Sequence, residues 1–237
     1  MRRWWETFFP SPRCLLCDSP HRAAAWAEVW ERICFSCESR LSRIREPVCA
    51  RCGRPLELED RGPCPGCWGA GYALQGNRSA LAYTPYTREL IHLFKYRGKE
   101  SLAGPLAELM AHSLAELSWR VDRITYVPLH LERLRERGFN QAELLARGVA
   151  KHLHLPLAHV LERTVPTAPQ SRSGRRERLK AMEGAFHLLS PVPEGSLSGR
   201  VFLLVDDVYT TGATLSECAS VLKKEGAKAV YSVTLAR

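Results

Sequence analysis

The stretch Val201–Thr214, VFLLVDDVYTTGAT, decides how the rest of the chain is read. Five apolar residues, Val201 to Val205, run straight into two carboxylates, Asp206 and Asp207. So short a continuous apolar run predicts a buried parallel strand. A small-residue turn follows, Thr210, Thr211, Gly212, Ala213 and Thr214. Leu215, Cys218, Val221 and Leu222 then recur at helical spacing as far as the stop at Glu225-Gly226. Strand, acid pair, turn and helix together make a phosphate holder. Turn N–H groups form an anion-binding concavity, and the helix N-terminus adds about half a positive charge. The stretch has neither a P-loop lysine nor a three-glycine dinucleotide fingerprint. Carboxylates at the carboxyl end of a strand, beside bound phosphate, suit ribose hydroxyls or a hydrated Mg²⁺. The alternative, a buried strand and an ordinarily capped helix, explains the paired acids and the doubled threonine poorly.

Composition bounds the answer. At 237 residues, 45% hydrophobic and 25% charged, the chain describes a soluble globular protein with a real core. No apolar run reaches the length of a membrane-spanning helix, so no membrane insertion is expected. The start, MRRWWETFFP, is too short for a signal peptide, and Trp4 and Phe8 suit capping a core. The net charge is +9, and residues 120–180 carry most of it, with 13 Lys/Arg against 6 Asp/Glu. A polyanion is the natural partner, either a pyrophosphate or a nucleic-acid backbone, with a solvated arginine-rich surface as the plain alternative.

Eight of the nine cysteines form four Cys-x-x-Cys pairs: Cys14/Cys17, Cys34/Cys37, Cys49/Cys52 and Cys64/Cys67. With no secretion signal, this usage points to a reducing, cytoplasmic setting and to metal rather than disulfides. Two such turns complete one tetrahedral Cys₄ zinc site, so two Zn²⁺ are expected. Sequential pairing and a cross-braced pairing both satisfy the spacing. A module of this size gains roughly 3–5 kcal/mol from its core. A structural Zn²⁺ contributes on the order of 10 kcal/mol, so metal decides whether the module folds. Thiolates fill every position, which makes the zinc structural rather than catalytic. Between the pairs, residues 23–33 read as a short helix with Trp26 and Trp30 on one face, packed on the zinc knuckles or stacking on bases.

Glycines 66, 69, 71 and 76 place a boundary near 68–77, giving a zinc module over 1–75 and a second domain over 76–237. Beyond it the reading alternates: a strand at 79–83, a helix from Pro85, a basic turn at 95–99, a helix at 102–117 and a strand at 123–129. Pro128 ends that strand, where ligand loops lie in open α/β sheets. An arginine-rich loop with Arg133, Arg135 and Arg137 follows, then Asn140 as N-cap of a helix over 141–153, with Glu143 as its capping-box partner. His152, His154 and His159 lack metal spacing and suit the surface. A short strand at 161–163, a loop over 164–178, extended structure at 183–189 and a last strand at 227–235 complete the chain. Loops of that length are usually functional or disordered. Alternating strands and helices predict a parallel sheet flanked by helices, with right-handed crossovers.

The 201–214 stretch resembles the phosphoribosyl-pyrophosphate (PRPP) signature of type I phosphoribosyltransferases. The resemblance implies that Asp206 and Asp207 hold the ribose hydroxyls and that Thr210, Thr211, Gly212, Ala213 and Thr214 cradle the 5′-phosphate. Mg²⁺ would accompany PRPP. Pyrophosphate would lie at the loop after Pro128 and near Arg137, while loop residues Arg172, Arg175, Arg176 and Arg178 would close over it. In 6-oxopurine transferases the turn begins with Asp; Thr210 has no useful pKa, which argues against hypoxanthine or guanine as acceptor. Asp207 is a general-base candidate by position alone.

Four cysteine pairs ahead of such a domain resemble the ComF (ComFC) family of bacterial competence proteins, whose amino-terminal part is a double zinc ribbon. Lys95-Tyr96-Arg97-Gly98, Val127-Pro128-Leu129, Arg137-Gly138-Phe139-Asn140-Gln141 and Gly184-Ala185-Phe186 also resemble that family. The family usually has Asn where this chain has Ala181. Membership implies a part in uptake of single-stranded DNA alongside a helicase-like partner. It leaves three roles open: a PRPP-using transferase, a nucleic-acid-binding factor that holds or senses PRPP, and a structural adaptor.

Overall fold

The computed structural model describes residues 12–24, 26–57, 62–67, 73–96, 99–115, 117–165, 182–191 and 197–237. Strand β1 (Gly76–Leu81) leads to helices α2 (Pro85–Tyr96) and α3 (Ala103–His112); a single-turn helix, α1 (Phe35–Glu38), precedes it among the cysteines. Then come β2 (Arg123–Tyr126), α4 (Leu131–Arg137), α5 (Gln141–Leu153), β3 (Leu161–Arg163), β4 (Phe186–Leu188), β5 (Val201–Val208), α6 (Ala213–Lys224) and β6 (Ala229–Ala236). Four strands form one parallel sheet in the order β1-β6-β5-β2. The expected parallel sheet with flanking helices is therefore present.

Strand β5 lies inside the sheet, and Phe202, Leu203, Leu204 and Val205 are buried, which is why its sequence shows no alternation. Helices α3 and α5 pack against each other on one face of the sheet, and α6 packs on the other. Helices α3 and α5 pack closely, with Gly148 directly against Ala107.

The remaining area of the α6 face, over β1 and β6, carries polar side chains rather than an apolar patch. Asn77, Ser79, Ser232 and Thr234 are all buried there. Ser232 donates to Asn77 Oδ1 at 2.8 Å, and the Ser79 and Thr234 hydroxyls lie 2.7 Å apart. Asn77 Nδ2 donates to the carbonyl of Cys52 at 3.1 Å. The second cysteine module thus covers this face where a helix would otherwise lie. Gly53 permits the approach: its φ is +69°, and a Cβ there would come within 2.7 Å of the Asn77 carbonyl.

Several expectations are corrected. Residues 23–33 form turns among the described residues, not a helix. Trp26 is 90% exposed and Trp30 only partly buried. So short a segment cannot sustain an isolated helix, and backbone bonds such as Leu15 N–H to the Arg32 carbonyl tie it to the first knuckle instead. The arginine-rich segment after Pro128 is helix α4, capped at its start by the His130 ring accepting from Glu132 N–H at 3.4 Å. Helix α3 stops at His112, and β5 runs through both acids to Val208. Strands β3 and β4 pair antiparallel in a separate two-stranded unit, outside the alternating pattern. Asn140 caps α5, accepting from Ala142 N–H at 3.0 Å. Glu143 does not close a capping box; it accepts from Arg147 at 2.5 Å, one turn along.

Candidate functional site

Successive side chains on a strand point to opposite faces, so Asp206 and Asp207 face opposite ways at the carboxyl end of β5. Register confirms the split: Asp206 stands beside Thr234, on the α6 face. Asp207 faces α2, where Lys95 Nζ pairs with its Oδ2. Both partners are largely buried, with 21% and 13% of their side chains exposed. Burial pulls the ammonium of Lys95 down, but the Asp207 carboxylate outweighs it and holds the group above its ordinary value. Such a pair is neutral as a unit, whereas removing one partner would leave an uncompensated buried charge.

Among the described residues no cation pairs with Asp206 as Lys95 does with Asp207. Burial first, and the neighbouring Asp207 carboxylate second, push it up to about 8. Its Oδ1 accepts from Asp207 N–H at 2.8 Å. A carboxyl held up in this way keeps its proton more firmly than a free aspartate, and when protonated it can both donate to and accept from a hydroxyl. Arg163 lies close enough to interact with it electrostatically.

Beyond Val208 the chain turns. Tyr209 N–H donates to the Ala236 carbonyl at 2.8 Å, and Gly212 caps α6 with φ +79°. A side chain at 212 would collide with the Tyr209 ring, so both conformation and space demand glycine. Thr211 Oγ1 accepts from Ala213 N–H at 3.4 Å, and Thr214 Oγ1 donates to Met182 Sδ at 3.7 Å. Thr210 is exposed. The five turn residues and the two acids thus converge on one end of the sheet.

Pro128 lines a cavity of about 440 Å³ at the carboxyl end of β2, together with Tyr126, His130, Asn140, His159 and Arg163. Asn140 Nδ2 donates to the Val127 carbonyl at 3.1 Å and so fixes this loop. Arg137 donates to Gln141 Oε1 at 2.7 Å and to the Tyr96 hydroxyl at 2.9 Å, and lies near Lys95. Arg172, Arg175, Arg176 and Arg178, with the greater part of the 164–178 loop, fall outside the described residues, as do Trp4, Phe8 and Ala181. In the sequence Lys95 stands in a basic turn and in a stretch that resembles the family, but its pairing with Asp207 is not legible there, because that partner comes from the far end of the chain.

The cysteines resolve into two sets, Cys14, Cys17, Cys34, Cys37 and Cys49, Cys52, Cys64, Cys67, which selects sequential pairing. Zn–S bonds of about 2.3 Å in a tetrahedron require sulfurs about 3.8 Å apart. Cys17 and Cys34 lie at 3.7 Å, as do Cys52 and Cys64. Backbone N–H groups point at the sulfurs, Cys34 N to Cys14 Sγ at 3.3 Å and Cys64 N to Cys49 Sγ at 3.2 Å. The residues fit zinc. Cys17 in the first set is exposed, whereas every member of the second is buried. The Tyr86 hydroxyl of α2 donates to Cys37 Sγ at 3.3 Å, tying the first set to the same helix that carries Lys95.

Comparison with known proteins places the chain. It is 32% identical over 240 residues to the competence protein ComFC of Bacillus subtilis, covering 94% of each chain. The chain belongs to the ComFC family. The DNA utilization protein YhgH of Escherichia coli K12 is 33% identical, over 94% of this chain and 96% of that one. In this chain the double zinc ribbon domain family matches residues 4–69 and the phosphoribosyl transferase domain family matches residues 140–237. Among solved structures, an adenine phosphoribosyltransferase from Thermoanaerobacter pseudethanolicus overlaps 58% of this chain and 81% of its own, at 14% identity and a TM-score of 0.38. No helix among the described residues is long and apolar enough to cross a membrane.

The raised Asp206 makes a pH test possible. The native state holds this proton over a range in which the unfolded chain has released it, so its contribution to stability falls as pH rises from about 4 to about 8. Asp206→Asn removes the term. Urea unfolding of wild type and variant across that range should show the wild type losing stability relative to the variant as pH rises, with parallel curves above pH 8.

Proposed function

We propose that the carboxyl end of β5 and the turn after it bind PRPP, and that the domain is built for phosphoribosyl transfer. The observation that carries this reading is the placement of Asp206, at the carboxyl end of β5, beside a glycine-dependent, threonine-lined turn. A neutral carboxyl suits a ribose hydroxyl, and the turn leading into the N-terminus of α6 suits the 5′-phosphate. Asp207, held by Lys95, would position the neighbouring hydroxyl. The family relationship to phosphoribosyltransferases supports the same assignment.

Mg²⁺ would arrive with the pyrophosphate beside the loop after Pro128, bound mainly by phosphate oxygens and water, as such ions usually are. Bound Mg²⁺ would offset the charge of the leaving pyrophosphate. The chain's own contribution is positioning and electrostatics. Pro128 and Arg137 would flank pyrophosphate, with Arg172, Arg175 and Arg178 closing from the loop. The 440 Å³ cavity beside Pro128, within the range of small-molecule pockets, would receive the acceptor. Buried thiolate ligands, kept reduced, accord with work in the cytoplasm. The names of the relatives, a competence protein and a DNA utilization protein, support a role in handling DNA; a helicase-like partner is what the family resemblance adds.

Calorimetric titration of PRPP with Mg²⁺ tests the binding. Wild type should bind, and Asp206→Ala/Asp207→Ala should bind at least tenfold more weakly. Wild-type heat no larger than that of the double variant removes the reading.

A second reading rests on a different surface. A groove of about 400 Å³ between the zinc module and the β1 edge is lined by Trp30, Arg43, Arg45, Arg78 and His112. Basic and aromatic side chains interleaved in this way suit single-stranded nucleic acid. Arg78 is partly neutralised by Glu46 at 2.6 Å, which limits the field. If several phosphates are neutralised here, the logarithm of the affinity for a DNA oligonucleotide should fall steeply with the logarithm of salt. A flat dependence at negligible affinity excludes this surface.

A further inference from the structure

The phosphate turn has a second neighbour besides α6. A cleft of about 190 Å³ separates it from the second cysteine module. Tyr209, Thr210 and Thr211 form one wall, and Cys52, Cys64 and Cys67 form the other. Two arginines line the gap, Arg54 from the knuckle and Arg237 from the end of β6.

A sugar phosphate brings close to two negative charges, and residues 209–214 contain no cation to meet them. The lysines of α6, Lys223 and Lys224, lie in its last turn, far from its start. The helix N-terminus alone supplies about half a charge. Among the described residues, other cations near this end of the sheet are committed. Arg163 donates to the Val165 carbonyl at 3.3 Å. Lys95 pairs with Asp207, and Arg137 donates to Gln141 and Tyr96. Arg237 donates to the Cys52 carbonyl and stacks over the Tyr209 ring at 4.8 Å from its centroid. Arg54 makes no side-chain hydrogen bond or ion pair among the described residues.

The backbone that carries Arg54 is firmly held. Cys49 N–H donates to the Arg54 carbonyl at 2.7 Å, and Gly53 N–H donates to the Cys49 carbonyl at 2.8 Å. The knuckle in turn is fastened to β1 through Asn77. Electrostatics also requires a cation here: Zn²⁺ with four thiolates carries two negative charges, so a bare knuckle would repel phosphate across the cleft.

From this arrangement we propose that Arg54 reaches across the cleft and supplies the counter-charge for the ligand's 5′-phosphate. The second zinc knuckle is then a wall of the ligand site as well as a scaffold. This rests on the reading of the turn as a phosphate seat and adds to it the residue that completes the seat. The ligand class is a ribose 5-phosphate, and pyrophosphate, bound elsewhere, should not sense Arg54.

Calorimetry with two separate probes, ribose 5-phosphate and inorganic pyrophosphate with Mg²⁺, tests the assignment on the full chain. Arg54→Ala should weaken ribose 5-phosphate binding about tenfold or more, as loss of one charge-assisted hydrogen bond does. Arg54→Lys should stay within about threefold of wild type, and pyrophosphate affinity should not move. Zinc content, measured in parallel, separates loss of the contact from loss of the knuckle; should Arg54→Ala lose zinc, Arg54→Gln takes its place. A variant without the charge that keeps two zinc ions and binds ribose 5-phosphate like wild type overturns the proposal while leaving the phosphate seat intact. Equal weakening of both probes also overturns it. If wild type binds no ribose 5-phosphate, the seat itself is wrong.

Discussion

Two carboxylates side by side at the end of a buried strand cannot both remain charged without compensation, and the rest of the site answers that constraint. Because side chains alternate along β5, the acids face different neighbours and are compensated differently. Asp207 meets an ammonium from α2. Asp206 meets no dedicated cation among the described residues, and burial with the neighbouring Asp207 carboxylate pushes it up to about 8. The outcome is a near-neutral pair of oxygen-bearing groups beside a turn that favours anions. That combination suits a phosphorylated sugar better than a free metal ion, which would require two available carboxylates.

The zinc module is part of this arrangement rather than an appendage. It covers the polar strip of Asn77, Ser79, Ser232 and Thr234, and the Cys52 carbonyl takes the hydrogen bond that a buried Asn77 amide needs. An unmet polar group in that position would cost about 1–3 kcal/mol. The second cysteine knuckle is thereby linked to the edge of the sheet, and through Arg237 to Tyr209 and the turn. The first cysteine set is attached differently, through Tyr86 of α2 and the Arg32–Glu108 ion pair at 2.6 Å.

Local patterns in the sequence carried the sheet, most of the helices, the zinc ligands and the two acids, because each is written within a few residues. What they could not carry is pairing across long separations. Lys95 looks like any basic residue at a helix end until α2 is laid against β5. Arg54 looks like a solvated loop arginine until the knuckle is set on β1. Residues 23–33 had helical composition, but bonds to the first knuckle overrode that propensity. Helix α4 was hidden because a run of arginines after a proline resembles a loop, and its cap is a histidine rather than Ser, Thr, Asp or Asn. The sequential pairing of the cysteines shows only in the folded chain, since spacing allows either arrangement.

A crystal of the zinc-loaded protein soaked with PRPP and Mg²⁺ tests the central claim most directly. The account predicts density for the 5′-phosphate against the amides of Thr211 to Thr214, with ribose hydroxyls on Asp206 and Asp207. Density at another surface, or a turn left empty at saturating ligand while Lys95 still holds Asp207, would contradict it.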